Sequence, residues 1–179
     1  MKKAVFLDRD GTINEDVGWL YDPEKLEFIE GAFEALKRLQ EDFALYIITN
    51  QSGIGEGVFT EKQYKDFTKH YLEILKNNKI GVKAVYHCPH TKEQNCKCRK
   101  PLPYYINKVC KEEGITAADS YLIGDHPHDI ETAHNAGAKG IYVLTGHGTK
   151  HLHENKTKPD FTAASIVQAA GYILEKNPG

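Results

Sequence analysis

An α/β fold with a mostly parallel central sheet is predicted by three observations. Short apolar runs recur along the chain, and stretches of helical periodicity separate them. No repeat, low-complexity tract or linker interrupts the alternation. The 179 residues suit one domain, 1–179, with one sizeable core.

Residues 3–8 read as a buried strand, and 9–30 as a long polar and aromatic loop. Helical spacing follows at Ala32, Leu36 and Leu39. The run 43–49 is a second strand, closed by the polar turn Asn50-Gln51-Ser52-Gly53. Thr60 with Gln63 matches a capping box and opens a helix to about residue 76. Residues 82–87 form a third strand, and a cysteine-bearing loop comes next. A helix over 103–113 stops at Gly114. Tyr121-Leu122-Ile123 is a fourth strand leading into Gly124-Asp125, and a helix over 127–136 precedes Gly137. A fifth strand covers 140–144, and a last helix covers 163–175.

Composition narrows the function classes. The chain is 40% hydrophobic and 27% charged, ordinary for a soluble globular protein, and its net charge of −2 gives no general attraction to nucleic acid or anionic membrane. No stretch is long and apolar enough to span a bilayer, and the apolar start is too short for a signal peptide. The expectation is a cytoplasmic monomer acting on a small molecule. In that compartment the four cysteines are not read as disulfides. Cys110, alone in a helix, reads as an inert buried thiol.

In a parallel sheet, ligands bind beyond the carboxyl ends of the strands. Asp8 and Asp10, Thr49 and Asp125 all fall at such ends. Side chains i and i+2 of an extended chain point the same way, so Asp8 and Asp10 can converge on one phosphorus and one cation. Asp8 then serves as the nucleophile and Asp10 as the acid and base of phosphate-ester hydrolysis. Thr49 offers a hydroxyl to the phosphoryl oxygens, and Lys100 offers a fixed positive charge. Asp125 completes an oxygen site suited to Mg²⁺, with Asp129 orienting the cluster.

Cys88, His90, Cys96 and Cys98 form a second constellation. Three thiolates and one imidazole at short spacings make a closed set for structural Zn²⁺, with no open position for catalysis. Its role is to rigidify the loop that delivers Arg99 and Lys100. Local clustering of Lys92, Lys97, Arg99 and Lys100 makes a zinc-loop binding module the alternative of another class; the slightly acidic balance of the whole chain weighs against it. His126 follows Asp125 and must border the site, whereas His128, His134, His147, His151 and His153 read as surface residues of polar loops. Asp16, Trp19 and Tyr21 either form a wall of a sugar pocket or, for the two aromatics, pack internally.

These motifs resemble the haloacid dehalogenase superfamily of phosphatases. The segments are Phe-Leu-Asp-Arg-Asp-Gly-Thr-Ile-Asn at 6–14, Thr-Asn-Gln-Ser-Gly-Ile at 49–54, Cys-Pro-His at 88–90, Cys-Lys-Cys-Arg-Lys-Pro at 96–101 and Gly-Asp-x-x-x-Asp at 124–129. Within the superfamily they resemble the zinc-containing D,D-heptose 1,7-bisphosphate phosphatases and the related histidinol-phosphatases. The resemblance implies a Rossmann-like three-layer sandwich without a large cap domain. It also implies an aspartyl-phosphate on Asp8, and Mg²⁺ held by Asp8, Asp125 and the Asp10 carbonyl. Arg9, Asp16, Trp19, Asn50, Gln51, Ser52, Arg99 and His126 become the substrate-binding residues, with Arg99 on the substrate's remaining phosphate. Gly18-Trp19, 26–31 and 51–60 resemble the heptose enzymes more than the histidinol-phosphatases. Two departures from that pattern are the short gap between His90 and Cys96, and His126 where both groups carry Lys or Arg.

Overall fold

The computed structural model describes residues 2–178. Its elements follow in chain order, the strands marked β and the α-helices α: β1 Ala4–Leu7, α1 Ala32–Asp42, β2 Ala44–Asn50, α2 Glu61–Asn77, β3 Val82–Cys88, α3 Tyr104–Glu113, β4 Tyr121–Gly124, α4 Pro127–Asn135, β5 Lys139–Val143, α5 Gly148–His151, β6 Phe161–Ala163 and α6 Ile166–Lys176. One sheet of order β3-β2-β1-β4-β5-β6 carries all six strands, and every pair is parallel. The chain moves outward from β1 through β2 and β3, then returns to β1's other side with β4. That reversal puts a crevice between the carboxyl ends of β1 and β4.

Alternation along the strands feeds two cores. Val5 and Leu7 face Leu36 and Leu39 of α1, Phe67 and Tyr71 of α2, and Ile173 of α6. Ala4 and Phe6 face Ile106 and Val109 of α3 and Ala133 of α4. The result is a three-layer sandwich with a helical layer on each face. The helices are built for this burial. In α1 the buried positions are Ala32, Ala35, Leu36 and Leu39, a single stripe. Thr60 caps α2 in a reciprocal capping box with Gln63, and Gly114 ends α3 at φ 67°.

Three elements depart from the sequence expectation. Residues 161–163 form β6, and the last helix starts at Ile166 behind the Ser165 cap, not at residue 163. Three residues are too few to show a strand period, and β6 exists by pairing with β5. The four-residue α5 was likewise unmarked. The long loop 9–30 is tied down by bridges from Asn14 to Asp10 and Phe28 and by a 3₁₀ turn at Pro23–Lys25. Loops border the crevice, and no cap domain is present among the described residues.

Candidate active site

At the carboxyl edge of the sheet lies a cleft of about 330 Å³ lined by Asp8, Asp10, Asp16, Gly18, Trp19, Thr49, Asn50, Gln51, Arg99, Lys100, Asp125, His126, His128, Asp129 and His147. Each expected catalytic side chain is there: Asp8 and Asp10 arrive from the end of β1, Thr49 from that of β2, and Lys100 from the loop that follows β3. Asp8 follows β1 with its N–H donated to Ile123 O at 2.9 Å, Thr49 closes β2, and Asp125 follows β4. Gly11, at φ 76°, turns the chain away after Asp10; a Cβ there would run into the Asp125 carboxylate.

Lys100 is the electrostatic hub. Its Nζ lies 3.0 Å from Asp8 Oδ1 and 2.5 Å from Asp129 Oδ1, and the lysine is nearly fully buried. Burial alone would pull its ammonium down; the Asp129 and Asp8 carboxylates outweigh it and hold the group above its ordinary value. Asp129 also accepts the His126 N–H at 3.0 Å, and so fixes the start of α4. Asn50 clamps the Lys100 backbone: its Oδ1 accepts Lys100 N–H at 3.1 Å, and its Nδ2 donates to Lys100 O at 3.4 Å.

Donor oxygens of Asp8, Asp125 and Asp129 lie within 4.8 Å of one another. Burial, with the charges of Asp129 and Asp10, raises Asp8 to about 7 against the pull of Lys100. Burial, Asp8 and Asp129 raise Asp125 to about 8. Crowded buried carboxylates of this kind fit a small hard cation, and Mg²⁺ suits an all-oxygen set. The linkage has a definite sign. The folded protein retains protons that the unfolded chain sheds, so the stability these groups contribute is full below about pH 4. It is lost as pH rises through about 7 and 8. Mg²⁺ binds the ionised carboxylates, so its stabilisation grows over the same window. We expect saturating Mg²⁺ to raise the melting temperature by several degrees more near pH 8.5 than near pH 5.5; an increment independent of pH would contradict this.

Beside the cleft, the cysteine loop holds its four donors in a closed group. Cys88 Sγ is 3.4 Å from Cys96 Sγ and 3.6 Å from His90 Nδ1; Cys98 Sγ is 3.6 Å from Cys96 Sγ and 3.4 Å from His90 Nδ1. A tetrahedron with bonds of ~2.3 Å has edges of ~3.8 Å, so the donors fit zinc. Burial pushes the Cys88 thiol up; at Cys96 burial acts the same way but is outweighed by backbone N–H groups of Cys98 and Arg99, which pull it down. Arg99 Nη1 donates to His90 O at 3.1 Å, so the loop also orients this cleft-lining guanidinium. Stripping zinc with a chelator is expected to cut kcat/KM by ~10-fold or more and to lower the melting temperature. Unchanged turnover in demonstrably zinc-free protein would separate the loop from the site.

Several expected substrate contacts do not survive the geometry. Arg9 turns into the core, 2% exposed, over the rings of Phe67 and Tyr64, and donates to Asp10 through Nε at 3.0 Å and Nη2 at 2.8 Å. It cannot reach a substrate. Ser52 lies in the turn after β2 and does not line the cleft. Asn50 and Gln51 line the cleft, but their amides are spent on protein partners, Gln51 Nε2 donating to Asp10 Oδ2 at 2.9 Å and Thr49 Oγ1 at 2.8 Å. Asp16, Trp19, Arg99 and His126 keep cleft-facing positions. Burial, with His128 and His151 nearby, pushes His126 down to about 4 against Asp129, so its imidazole is neutral at pH 7. Trp19 and Tyr21 also pack on Phe59, so both readings of the aromatic pair apply to Trp19.

More histidines border the cleft than the sequence suggests. His128 and His147 line the cleft, and His151 packs against His126 and His147. His147 N–H donates to Asp125 Oδ2 at 2.8 Å, and its Nδ1 is 3.4 Å from Asp16 Oδ2. One signal was available: residues just past the fifth strand must sit on the same sheet edge as Asp125.

Known proteins resemble the chain along nearly its whole length. The HAD-hydrolase-like family model matches residues 97–169. The D-glycero-beta-D-manno-heptose-1,7-bisphosphate 7-phosphatase of Haemophilus ducreyi is 38% identical, over 96% of this chain and 98% of that one. The D-glycero-alpha-D-manno-heptose-1,7-bisphosphate 7-phosphatase of Photorhabdus laumondii is 34% identical, over 93% and 97%. The crystal structure of D,D-heptose 1,7-bisphosphate phosphatase from B. bronchiseptica, complexed with magnesium and phosphate, superposes with a TM-score of 0.89 at 28% identity, covering 98% and 99%.

Proposed function

The chain belongs to the heptose-1,7-bisphosphate 7-phosphatase family of haloacid dehalogenase-like hydrolases, and from that premise we propose that it removes the C7 phosphate of a D-glycero-D-manno-heptose 1,7-bisphosphate. The observation that carries the reading is the convergence of Asp8, Asp10, Thr49, Lys100 and Asp125 on one cleft.

In this mechanism the Asp8 carboxylate attacks phosphorus and becomes an aspartyl-phosphate as the ester bond breaks. Asp10 protonates the departing alkoxide, then takes a proton from the water that hydrolyses the intermediate. Lys100 holds Asp8 in line and neutralises phosphoryl charge, while Thr49 donates its hydroxyl to a phosphoryl oxygen. Asp8, Asp125 and the Asp10 carbonyl, with Asp129 in support, would hold Mg²⁺, which would supply Lewis-acid charge at the phosphoryl group. Arg99 faces the retained phosphate, with neutral His126 as a hydrogen-bonding neighbour. Trp19 and Asp16 form the sugar-facing wall. Zinc in the cysteine loop is structural.

We read the chain as a single phosphatase domain, a cytoplasmic monomer with a small-molecule substrate and no nucleic-acid partner. The net charge of −2 supports the reading without nucleic acid, and no helix among the described residues is long and apolar enough to cross a membrane. Turnover of heptose 1,7-bisphosphate and histidinol phosphate should be compared side by side with Mg²⁺. Preference for the bisphosphate is expected, because the guanidinium of Arg99 lines the cleft and can meet a second phosphate, which histidinol phosphate lacks. Clear preference for histidinol phosphate would overturn the assignment. No ester hydrolysis at all, with salt-dependent nucleic-acid binding, would instead favour a zinc-loop binding module.

A further inference from the structure

Asp10 accepts four N–H donors from three side chains. Oδ1 takes Arg9 Nε at 3.0 Å and Asn14 Nδ2 at 3.0 Å; Oδ2 takes Arg9 Nη2 at 2.8 Å and Gln51 Nε2 at 2.9 Å. A carboxylate has about four lone-pair sites, so every one is filled. An acid in this state has no place for its proton until one donor withdraws.

The donors differ in freedom. Arg9 is buried, rests on Phe67 and Tyr64, and also donates to Leu20 O at 3.2 Å. Asn14 is fully buried, donates to Glu15 O, and accepts from Tyr71 Oη at 3.2 Å. Gln51 lines the cleft, and its Nε2 is shared between Asp10 and Thr49. An amide nitrogen carries two hydrogens, so Gln51 can release Asp10 and keep Thr49. Because Thr49 Oγ1 accepts from Gln51, its own hydroxyl hydrogen is free for the substrate.

We propose that Arg9, Asn14 and Gln51 form a cage that orients the general acid–base, with Gln51 the member that yields Oδ2 to the proton. Arg9, Asn14 and Gln51 are then positioning residues, acting on substrate only through Asp10 and, for Gln51, Thr49. In the first half-reaction the Oδ2 proton passes to the bridging ester oxygen as Asp8 bonds to phosphorus and the ester P–O bond breaks. Gln51 then donates again to the bare carboxylate. In the second half-reaction Oδ2 takes a proton from water as the water oxygen bonds to phosphorus and frees Asp8. The cycle ends with the proton restored.

The inference rests on the phosphatase reading, and leaving-group chemistry separates the two. An alkyl phosphate needs its leaving oxygen protonated; p-nitrophenyl phosphate releases a weakly basic phenolate and does not. Loss of Gln51's hold on Thr49 would slow both esters alike, so the ratio between them isolates Asp10. For Gln51→Leu we expect kcat/KM on a sugar phosphate to fall ~10-fold or more beyond any fall on p-nitrophenyl phosphate. Arg9→Lys, which keeps the charge but breaks the two-point fork, should change the ratio in the same direction. Should that variant fail to fold, Gln51→Leu decides alone. Equal losses on both esters, or full activity on both, would overturn the cage. An inert wild-type protein is a different result, and it would remove the phosphatase reading and the cage together.

Discussion

Asp8→Asn is expected to cut turnover by ~10⁴-fold or more, the scale seen when a covalent nucleophile is lost. The substitution is nearly isosteric. Its amide oxygen can still accept the Arg9 N–H that Asp8 Oδ1 accepts at 2.8 Å, and can still face Lys100 Nζ, now 3.0 Å from Oδ1. What disappears is the charged oxygen that bonds to phosphorus. Stability should move the other way. Burial, Asp129 and Asp10 have raised Asp8 to about 7, so above that pH the ionised side chain opposes folding in metal-free protein. The variant should therefore melt at or above the wild-type temperature near pH 8.5 without Mg²⁺, although it is inactive. A peptide phosphorylated at position 8 should be trapped from wild-type protein on acid quench and be absent from the variant. Near-normal turnover by Asp8→Asn would eliminate this residue as nucleophile.

The legible part of the molecule was the part governed by burial. Runs such as Ala4–Leu7 and Tyr121–Gly124 are covered on both faces, so they read as strands without partners in view. Their carboxyl ends then set the address of Asp8, Thr49 and Asp125 before any contact was known. Phe161–Ala163 was illegible because three residues carry no period, and only the neighbouring strand makes them a strand. Arg9 was misjudged for a different reason. The family resemblance implies a substrate contact there, yet the alternation that aims Asp8 and Asp10 at the cleft aims residue 9 the opposite way, toward Tyr64 and Phe67 of α2. Asn50 and Gln51 lay in a motif that suggested ligand contact. Which partner an amide chooses depends on distances across fifty residues of chain, and no local pattern encodes those.

Lys100→Met separates stability from catalysis at the same site. Lys100 is buried against Asp129, which is itself fully buried and has only the His126 N–H as a further donor among the described contacts. Removing one partner of a buried pair strands the other, at a cost of about 3–5 kcal/mol. Denaturant unfolding should report that loss, and Mg²⁺ should restore part of it by supplying positive charge to the same carboxylates. Turnover should fall by ~10²-fold or more, because a preorganised charge aimed at the phosphoryl group is gone. Lys100→Met combined with Asp129→Asn divides the two effects. The double variant no longer strands a charge at Asp129, so part of the lost stability should return, while Asp8 still lacks its ammonium partner. Activity should stay low, since nothing replaces the ammonium beside Asp8. If activity recovered together with stability, Lys100 would be a structural counter-ion for Asp129 and the phosphoryl charge would have to be met elsewhere.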